Sequence, residues 1–142
     1  MTRNDLVEKF LAADSNTKFD YVFWIDSDMV FSFEQCRALI ALMEENKADI
    51  ASGLYFSLAN GKMVPIAGKY SPERDNYDPV SLENIQGPLE IDSAGFGFIV
   101  MKADVIRELS KEFNSIFDFR KSKKGKFIGE DTLFFERAKS KG

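Results

Sequence analysis

The sequence predicts an α/β protein with a mainly parallel central sheet that is flanked by helices. Two short apolar runs, 19–25 and 48–56, are rich in aromatic and β-branched residues and have the length of buried strands. A helical pattern separates them, and the order strand, helix, strand is typical of a βαβ unit with parallel strands. A further strand at 97–101 runs directly into a helix at 103–109, which extends the same alternation.

The N-terminal half contains two helices with recognisable starts. Residues 3–13 repeat apolar side chains at helical spacing, with Thr2 or Asn4 as the capping residue. The second helix is predicted to begin after Ser32, because Ser32 and Gln35 have the spacing of a capping box. It connects the two predicted strands.

The middle of the chain, 57–88, differs in character because all four prolines lie there among Asn-Gly and Asp-Asn turn signals. We predict a long loop with at most one short edge strand, over 62–70. A last helix is predicted to begin near Glu130 or Asp131, directly after Gly129.

Composition excludes several classes of function. The chain has 142 residues, a net charge of −4, one cysteine and no histidine. We therefore expect no internal disulfide, no nucleic-acid partner and a cytoplasmic location, since neither a signal peptide nor a transmembrane segment is apparent. For the basic stretch 120–126, a solvated loop is favoured over a contact with phosphate. Because histidine is absent, any acid–base catalysis must use carboxylates, Lys, Tyr or Cys.

Two carboxylates, Asp26 and Asp28, follow the first strand immediately. On an extended chain they project to the same side, at the strand end where open α/β sheets bind ligands. Such close like charges favour a divalent cation, and carboxylate oxygens suit Mn²⁺ or Mg²⁺ together with a phosphorylated ligand. The alternative is that Asp26 caps a turn and Asp28 is merely solvated.

A second acidic pair, Glu130 and Asp131, stands at the predicted start of the last helix. Acidic residues there often do no more than complement the helix dipole. The glycine before them and the apolar residues after them favour a helix start that is tucked against the sheet, where a carboxylate faces a cleft.

Four segments resemble, in the right order, glycosyltransferases of the GT-A fold, in particular the large inverting group that includes cellulose-synthase-like enzymes. The segments are "WIDSDMVF", "ADIASGLYF", "IDSAGFGFIVMKADVI" and "GEDTLFFERAKSKG". The resemblance implies one partial domain over 1–142 that moves a sugar from a nucleotide-diphosphate donor to a hydroxyl of a sugar, glycan or other acceptor. It also implies inversion at the anomeric carbon.

The resemblance carries roles onto the acidic pairs. Asp28 is implied as a direct ligand of Mn²⁺ or Mg²⁺, and Asp26 as a contact to the ribose or, through water, to the metal. Asp131 is implied as the catalytic base, with Glu130 beside it. The acceptor side is assigned to Asp92, Ser93, Ala94, Gly95 and Tyr55.

Relative to these enzymes the chain corresponds to the middle of a domain, since one helix precedes the D-x-D strand where two βα units are usual. Missing strands would leave sheet edges through which the chain can self-associate. Two alternatives remain open. One is a phosphatase of the haloacid-dehalogenase type, in which Asp26 forms an aspartyl-phosphate; the other is a non-catalytic remnant that binds a sugar or a partner.

Overall fold

The computed structural model describes all 142 residues, which form four helices and ten short strands. The helices are α1 (Arg3–Asp14), α2 (Phe33–Glu45), α3 (Ala103–Glu112) and α4 (Glu130–Lys139). The strands are β1 (Tyr21–Ile25), β2 (Ile50–Ser52), β3 (Phe56–Ala59), β4 (Lys62–Pro65), β5 (Ala67–Ser71), β6 (Asn76–Pro79), β7 (Ser93–Ala94), β8 (Phe98–Lys102), β9 (Arg120–Lys121) and β10 (Phe127–Ile128). None of the helices combines the length and the hydropathy that a bilayer span requires.

The central sheet has three strands in the order β1-β8-β2, and every pairing in it is antiparallel. The prediction of a mainly parallel central sheet of the GT-A type is therefore wrong, and the other sheets are small and antiparallel as well. Strands β1 and β2 do run in the same direction, but β8 lies between them: Trp24 stands opposite Ile99, and Ala51 opposite Val100. A strand from much later in the chain thus replaces the predicted parallel neighbour.

Helices cover both faces of the central sheet. In β8, Ile99 and Met101 point into a cluster with apolar residues of α1, α3 and α4, whereas Phe98 and Val100 point into a second cluster with residues of α2. All four side chains are buried. This alternation makes β8 the best buried strand, and burial of its apolar surface is the main stabilising contribution of the layer.

The helix starts agree with the capping signals in the sequence. The Thr2 hydroxyl accepts a hydrogen bond from the backbone of Asp5, whose carboxylate accepts one from the backbone of Thr2. Ser32 and Gln35 form the same reciprocal pair at the start of α2. Both capping predictions are confirmed, with Thr2 rather than Asn4 at the first helix.

Residues 57–88 are more ordered than the predicted long loop. Strands β3 and β4 form a hairpin whose turn, Asn60-Gly61, has φ angles of 52° and 73°, as a two-residue turn with both φ angles positive requires. Strands β5 and β6 form a second hairpin, to which β7 adds a third strand. Pro65 and Pro79 are accommodated because they stand at the ends of strands.

Candidate active site

The first acidic pair lies in a turn rather than on extended chain. The backbone N–H of Met29 donates to the carbonyl oxygen of Asp26 at 3.0 Å, which closes a turn over Asp26, Ser27 and Asp28. The prediction that Asp26 and Asp28 project to the same side of an extended strand is therefore wrong. The turn is attached to the sheet, because the N–H of Asp26 donates to the carbonyl of Gly97 at 3.0 Å.

Tyr55 occupies the space above the glycines that precede β8. Its hydroxyl oxygen accepts a hydrogen bond from the N–H of Gly97 at 2.9 Å. A Cβ atom on Gly95 would lie 2.2 Å from that oxygen, and one on Gly97 would lie 2.8 Å from the ring. Gly95 is one of the residues that the resemblance assigns to the acceptor side; the space next to it, like the space next to Gly97, is occupied by Tyr55.

The second acidic pair begins α4 and meets the N-terminus of the chain. Arg3 donates to Glu130 at 2.6 Å and also to Asp131, so one guanidinium serves both carboxylates. The same guanidinium lies 5.1 Å from the centroid of the Phe96 ring, within the range of a cation–π contact. About two-thirds of the Asp131 side chain is buried, since 33% is exposed.

Sequence reasoning missed Arg3, which pairs with an acid 128 positions away. One signal was present. The helix dipole disfavours a cation in the first turn of a helix. Arg3 stands at the start of α1, which indicates that it pairs with an acidic residue outside its own helix.

The environment of Asp131 favours its protonated form. Burial raises the pKa of Asp131, and the charge of Glu130 adds to this, whereas Arg3 and the N–H of Phe96 act in the opposite direction. The net effect is a pKa above the ordinary value for aspartate. Such a shift moves a carboxylate toward the range of an effective general base.

Tyr55 connects the two acidic pairs electrostatically. Burial raises the pKa of Tyr55, and the charges of Asp131 and Asp26 raise it further, against the N–H of Gly97. Gly97 joins two of these groups, since its N–H donates to the Tyr55 hydroxyl and its carbonyl accepts from the N–H of Asp26. Asp131 lines a cavity with the nearby Gly95. The fold thus brings the end of β1 and the start of α4 into one neighbourhood, although they are far apart in sequence.

A small cavity of about 260 Å³ lies beside Asp131. Its lining includes Ser93, Ala94 and Gly95, which are three of the residues assigned to the acceptor, together with Asp131 itself. The aromatic residue of the lining is Tyr77. The cavity therefore joins the predicted base to most of the predicted acceptor segment.

Asp92, the remaining acceptor candidate of that segment, has partners within the fold. It accepts from the backbone N–H of Tyr70 at 2.8 Å and forms an ion pair with Lys139 of α4. Burial opposes ionisation, but the hydrogen bonds from Lys139 and Tyr70 prevail and lower the pKa of Asp92. Its carboxylate is engaged between β5 and α4.

A larger cavity, about 1260 Å³, follows β2, the 82–91 segment and α3. Its lining includes none of Asp26, Asp28 and Asp131. Because most of the lining side chains are hydrophobic and the acidic pairs are absent from it, this cavity does not offer the chemistry that the sequence predicts.

The two carboxylates of the turn after β1 take no part in ion pairs. Asp26 and Asp28 are exposed, and neither has a lysine or arginine nitrogen within 4.0 Å. The chain contains no group of three or more His, Cys, Asp or Glu side chains arranged as a metal cage. Two free carboxylates are what Mg²⁺ commonly takes from a protein when phosphate oxygens and water complete its shell.

Comparison of the chain with protein-family models, with curated proteins and with solved structures finds no match.

Proposed function

We propose that the chain transfers a glycosyl group from a nucleoside-diphosphate donor to a hydroxyl group of an acceptor, with Asp131 as the general base. The observation that carries the proposal is the setting of Asp131. It is largely buried, its pKa is raised, and it lines the small cavity together with Ser93, Ala94 and Gly95.

The reaction is a single displacement. An acceptor in the cavity directs its hydroxyl group at Asp131, whose carboxylate removes the proton as the oxygen attacks the anomeric carbon. The new bond from oxygen to carbon forms while the bond from that carbon to the diphosphate breaks, and the electron pair leaves with the nucleoside diphosphate. Attack from the face opposite the leaving group inverts the anomeric configuration.

Arg3 and Glu130 set the state of the base. Arg3 is bound to Oδ1 of Asp131 and keeps that side chain in one orientation. The charge of Glu130 and the burial of Asp131 make its carboxylate more basic. Opposed contributions of this kind allow a carboxylate to be ionised at neutral pH and still to accept a proton.

The donor diphosphate is assigned to the turn after β1, where Asp26 and Asp28 would hold Mn²⁺ or Mg²⁺. A bound divalent cation neutralises charge on the diphosphate as it leaves. The hydrogen bond from the N–H of Asp26 to the carbonyl of Gly97 fixes this turn to the same segment that carries Gly95. The donor and acceptor sides of the site are therefore held by one short stretch of chain.

The first test measures thermal unfolding with Mn²⁺, with UDP or GDP, and with both together. Stabilisation that needs both components and is lost in Asp28→Asn supports the donor site. Asp20→Asn is the matched control, since Asp20 is also exposed and lies at the opposite end of β1. Equal stabilisation in Asp28→Asn and in the wild type excludes this metal site.

The second test measures transfer of labelled sugar from UDP- or GDP-sugars to mixed saccharide acceptors. We expect Asp131→Asn to reduce the rate about 10²- to 10⁴-fold, as is usual for loss of a general base. Asp104→Asn is the control, because Asp104 is also an acidic residue in the first turn of a helix but is exposed. Transfer at the wild-type rate in Asp131→Asn excludes Asp131 as the base.

A further inference from the structure

The segment 119–127, "FRKSKKGKF", is a hairpin of unusual charge in an otherwise acidic chain. Strands β9 and β10 form it, so the solvated loop predicted for 120–126 is a structured element. It contains five cations and no acid, whereas the whole chain has a net charge of −4. The cations are Arg120, Lys121, Lys123, Lys124 and Lys126. A phenylalanine stands at each end.

The hairpin has an inner and an outer face. Ser122 and Ile128 point inward, with 6% and 4% of their surface exposed, and Arg120 on the same side forms an ion pair with Glu136 of α4. Because side chains alternate along strands, the residues between them point outward. The inner face therefore anchors the hairpin to the body of the protein.

The outer face is apolar and exposed. The rings of Phe119 and Phe127 are stacked with centroids 5.0 Å apart and planes at 26°, yet 52% and 63% of their surfaces are exposed. Lys121 stands opposite Phe127 in the register. Two large rings with a cation beside them thus form a ridge that no part of the chain covers.

The turn at the tip is rigid and presents further lysines. The N–H of Ser122 donates to the carbonyl of Lys126 at 2.7 Å, and the Ser122 hydroxyl accepts from the N–H of Lys126 at 3.0 Å. Gly125 supplies the positive φ of 77° that the turn requires. The backbone N–H of Lys123 donates to the carboxylate of Asp75 at 2.7 Å, which ties the turn to the body of the protein. The ammonium groups of Lys123 and Lys126 are exposed and, like that of Lys121, have no carboxylate within 4.0 Å.

We propose that this hairpin docks the protein onto the surface of an anionic lipid bilayer. The Phe119 and Phe127 rings enter the interfacial layer, while Lys121, Lys123 and Lys126 contact lipid phosphates. A lipid surface fits better than a nucleic acid, because the two rings cover each other's faces and the surrounding chain is acidic. The proposal does not depend on the proposed function.

The binding has two separable components. The electrostatic component requires anionic lipid and weakens with salt, since the Debye length falls to about 3 Å at 1 M. The apolar component requires the rings. Removing one free lysine is expected to reduce partitioning about fivefold, which corresponds to about 1 kcal/mol for each cation near the membrane surface.

The test is sedimentation of the full chain with vesicles of phosphatidylcholine, alone or with phosphatidylglycerol. We expect binding to the mixed vesicles only. The double variants Phe119→Ser/Phe127→Ser and Lys121→Gln/Lys123→Gln should each bind at least about tenfold more weakly. The control is Leu58→Ser/Met63→Ser, which removes an equally exposed apolar pair from the β3–β4 hairpin.

Tryptophan fluorescence measures whether the Phe119–Phe127 ridge inserts into the bilayer. In Phe127→Trp the new indole should shift its emission to shorter wavelength on mixed vesicles and be quenched by brominated lipid acyl chains. Trp24 is buried and is the one native tryptophan, so its signal is a constant background.

Four results overturn the proposal. The first is no binding to mixed vesicles, and the second is equal loss of binding in the Leu58→Ser/Met63→Ser control. The third is a Phe119→Ser/Phe127→Ser variant that binds as the wild type does, since attraction would then be purely electrostatic. Release from vesicles by single-stranded oligonucleotide at equal phosphate concentration likewise overturns it, in favour of a nucleic-acid surface.

Discussion

Replacing Gly95 by Ala tests the contact that organises the candidate site. The added Cβ would lie 2.2 Å from the hydroxyl oxygen of Tyr55 and 2.6 Å from Cγ2 of Ile66, so both side chains must move. Overpacking of this kind costs about 1–3 kcal/mol. Displacing Tyr55 also removes the hydrogen bond from the N–H of Gly97, about 1 kcal/mol. We expect the free energy of unfolding to fall by about 2–4 kcal/mol.

Urea unfolding followed by the fluorescence of Trp24 measures this change. The indole packs against Phe96 and Phe117 at centroid distances of 5.8 and 5.3 Å, so its emission reports on the core beside Gly95. Gly129→Ala is the matched control. Gly129 has a φ of −73° and nothing within 4 Å of an added Cβ. It is the N-cap of α4, where alanine is the poorer cap, but alanine also restricts the unfolded chain. Because these two effects oppose each other, the free energy of unfolding should change by no more than about 0.5 kcal/mol.

A double-mutant cycle with Tyr55→Phe decides whether the tyrosine is the cause. Without the hydroxyl group the closest atom of that ring lies 3.3 Å from the added Cβ, so part of the clash is relieved while Ile66 remains. We expect the two substitutions to be coupled by at least about 0.5 kcal/mol. Wild-type stability of Gly95→Ala, or strict additivity in the cycle, would refute the packing of Tyr55 on Gly95.

Three further predictions concern stability in the same urea assay. Folding raises the pKa of Asp131, so the folded state binds a proton more tightly than the unfolded state does. The wild type should therefore lose stability as pH rises from about 4, and Asp131→Asn should lack that loss. Parallel pH profiles of the two proteins would contradict this. Asp14 has the opposite shift: hydrogen bonds from Arg107 lower its pKa, so its stabilisation is present above about pH 4 and is lost at lower pH. Asp14→Asn should therefore destabilise at pH 7 and approach the wild type near about pH 2, whereas a constant difference would argue against the ion pair. Ser32→Ala removes the cap of α2 and should lower the free energy of unfolding by about 1 kcal/mol. An unchanged free energy of unfolding would show that the cap does not stabilise the protein.

Local patterns in the sequence determined where the four helices begin. The capping boxes at Thr2 and Ser32 and the turn at Asn60-Gly61 involve partners within three positions, so a few adjacent residues suffice to specify them. The apolar runs of β1 and β8 likewise follow from composition and length. The acidic character of the first turn of α4 was visible in the same way.

The candidate site could be predicted only in part. Asp26, Asp28 and Asp131 were chosen by residue type, and the structure brings Asp26 and Asp131 around Tyr55. That the Asp26 segment turns instead of extending, and that Asp92 is bound to Lys139, depends on hydrogen bonds and ion pairs made by other segments. No pattern around these residues encodes such partners.

By itself, then, the sequence determined the four helices, the three strands of the central sheet and the inventory of acidic groups, because short-range hydrogen bonds and hydrophobic periodicity encode them. Only the tertiary structure decided which strands are neighbours. An apolar run such as β1 can pair in either direction, and β8 lies beside it because one strand with two apolar faces completes both layers of the core. The approach of Arg3 to Asp131 follows from the same long-range packing.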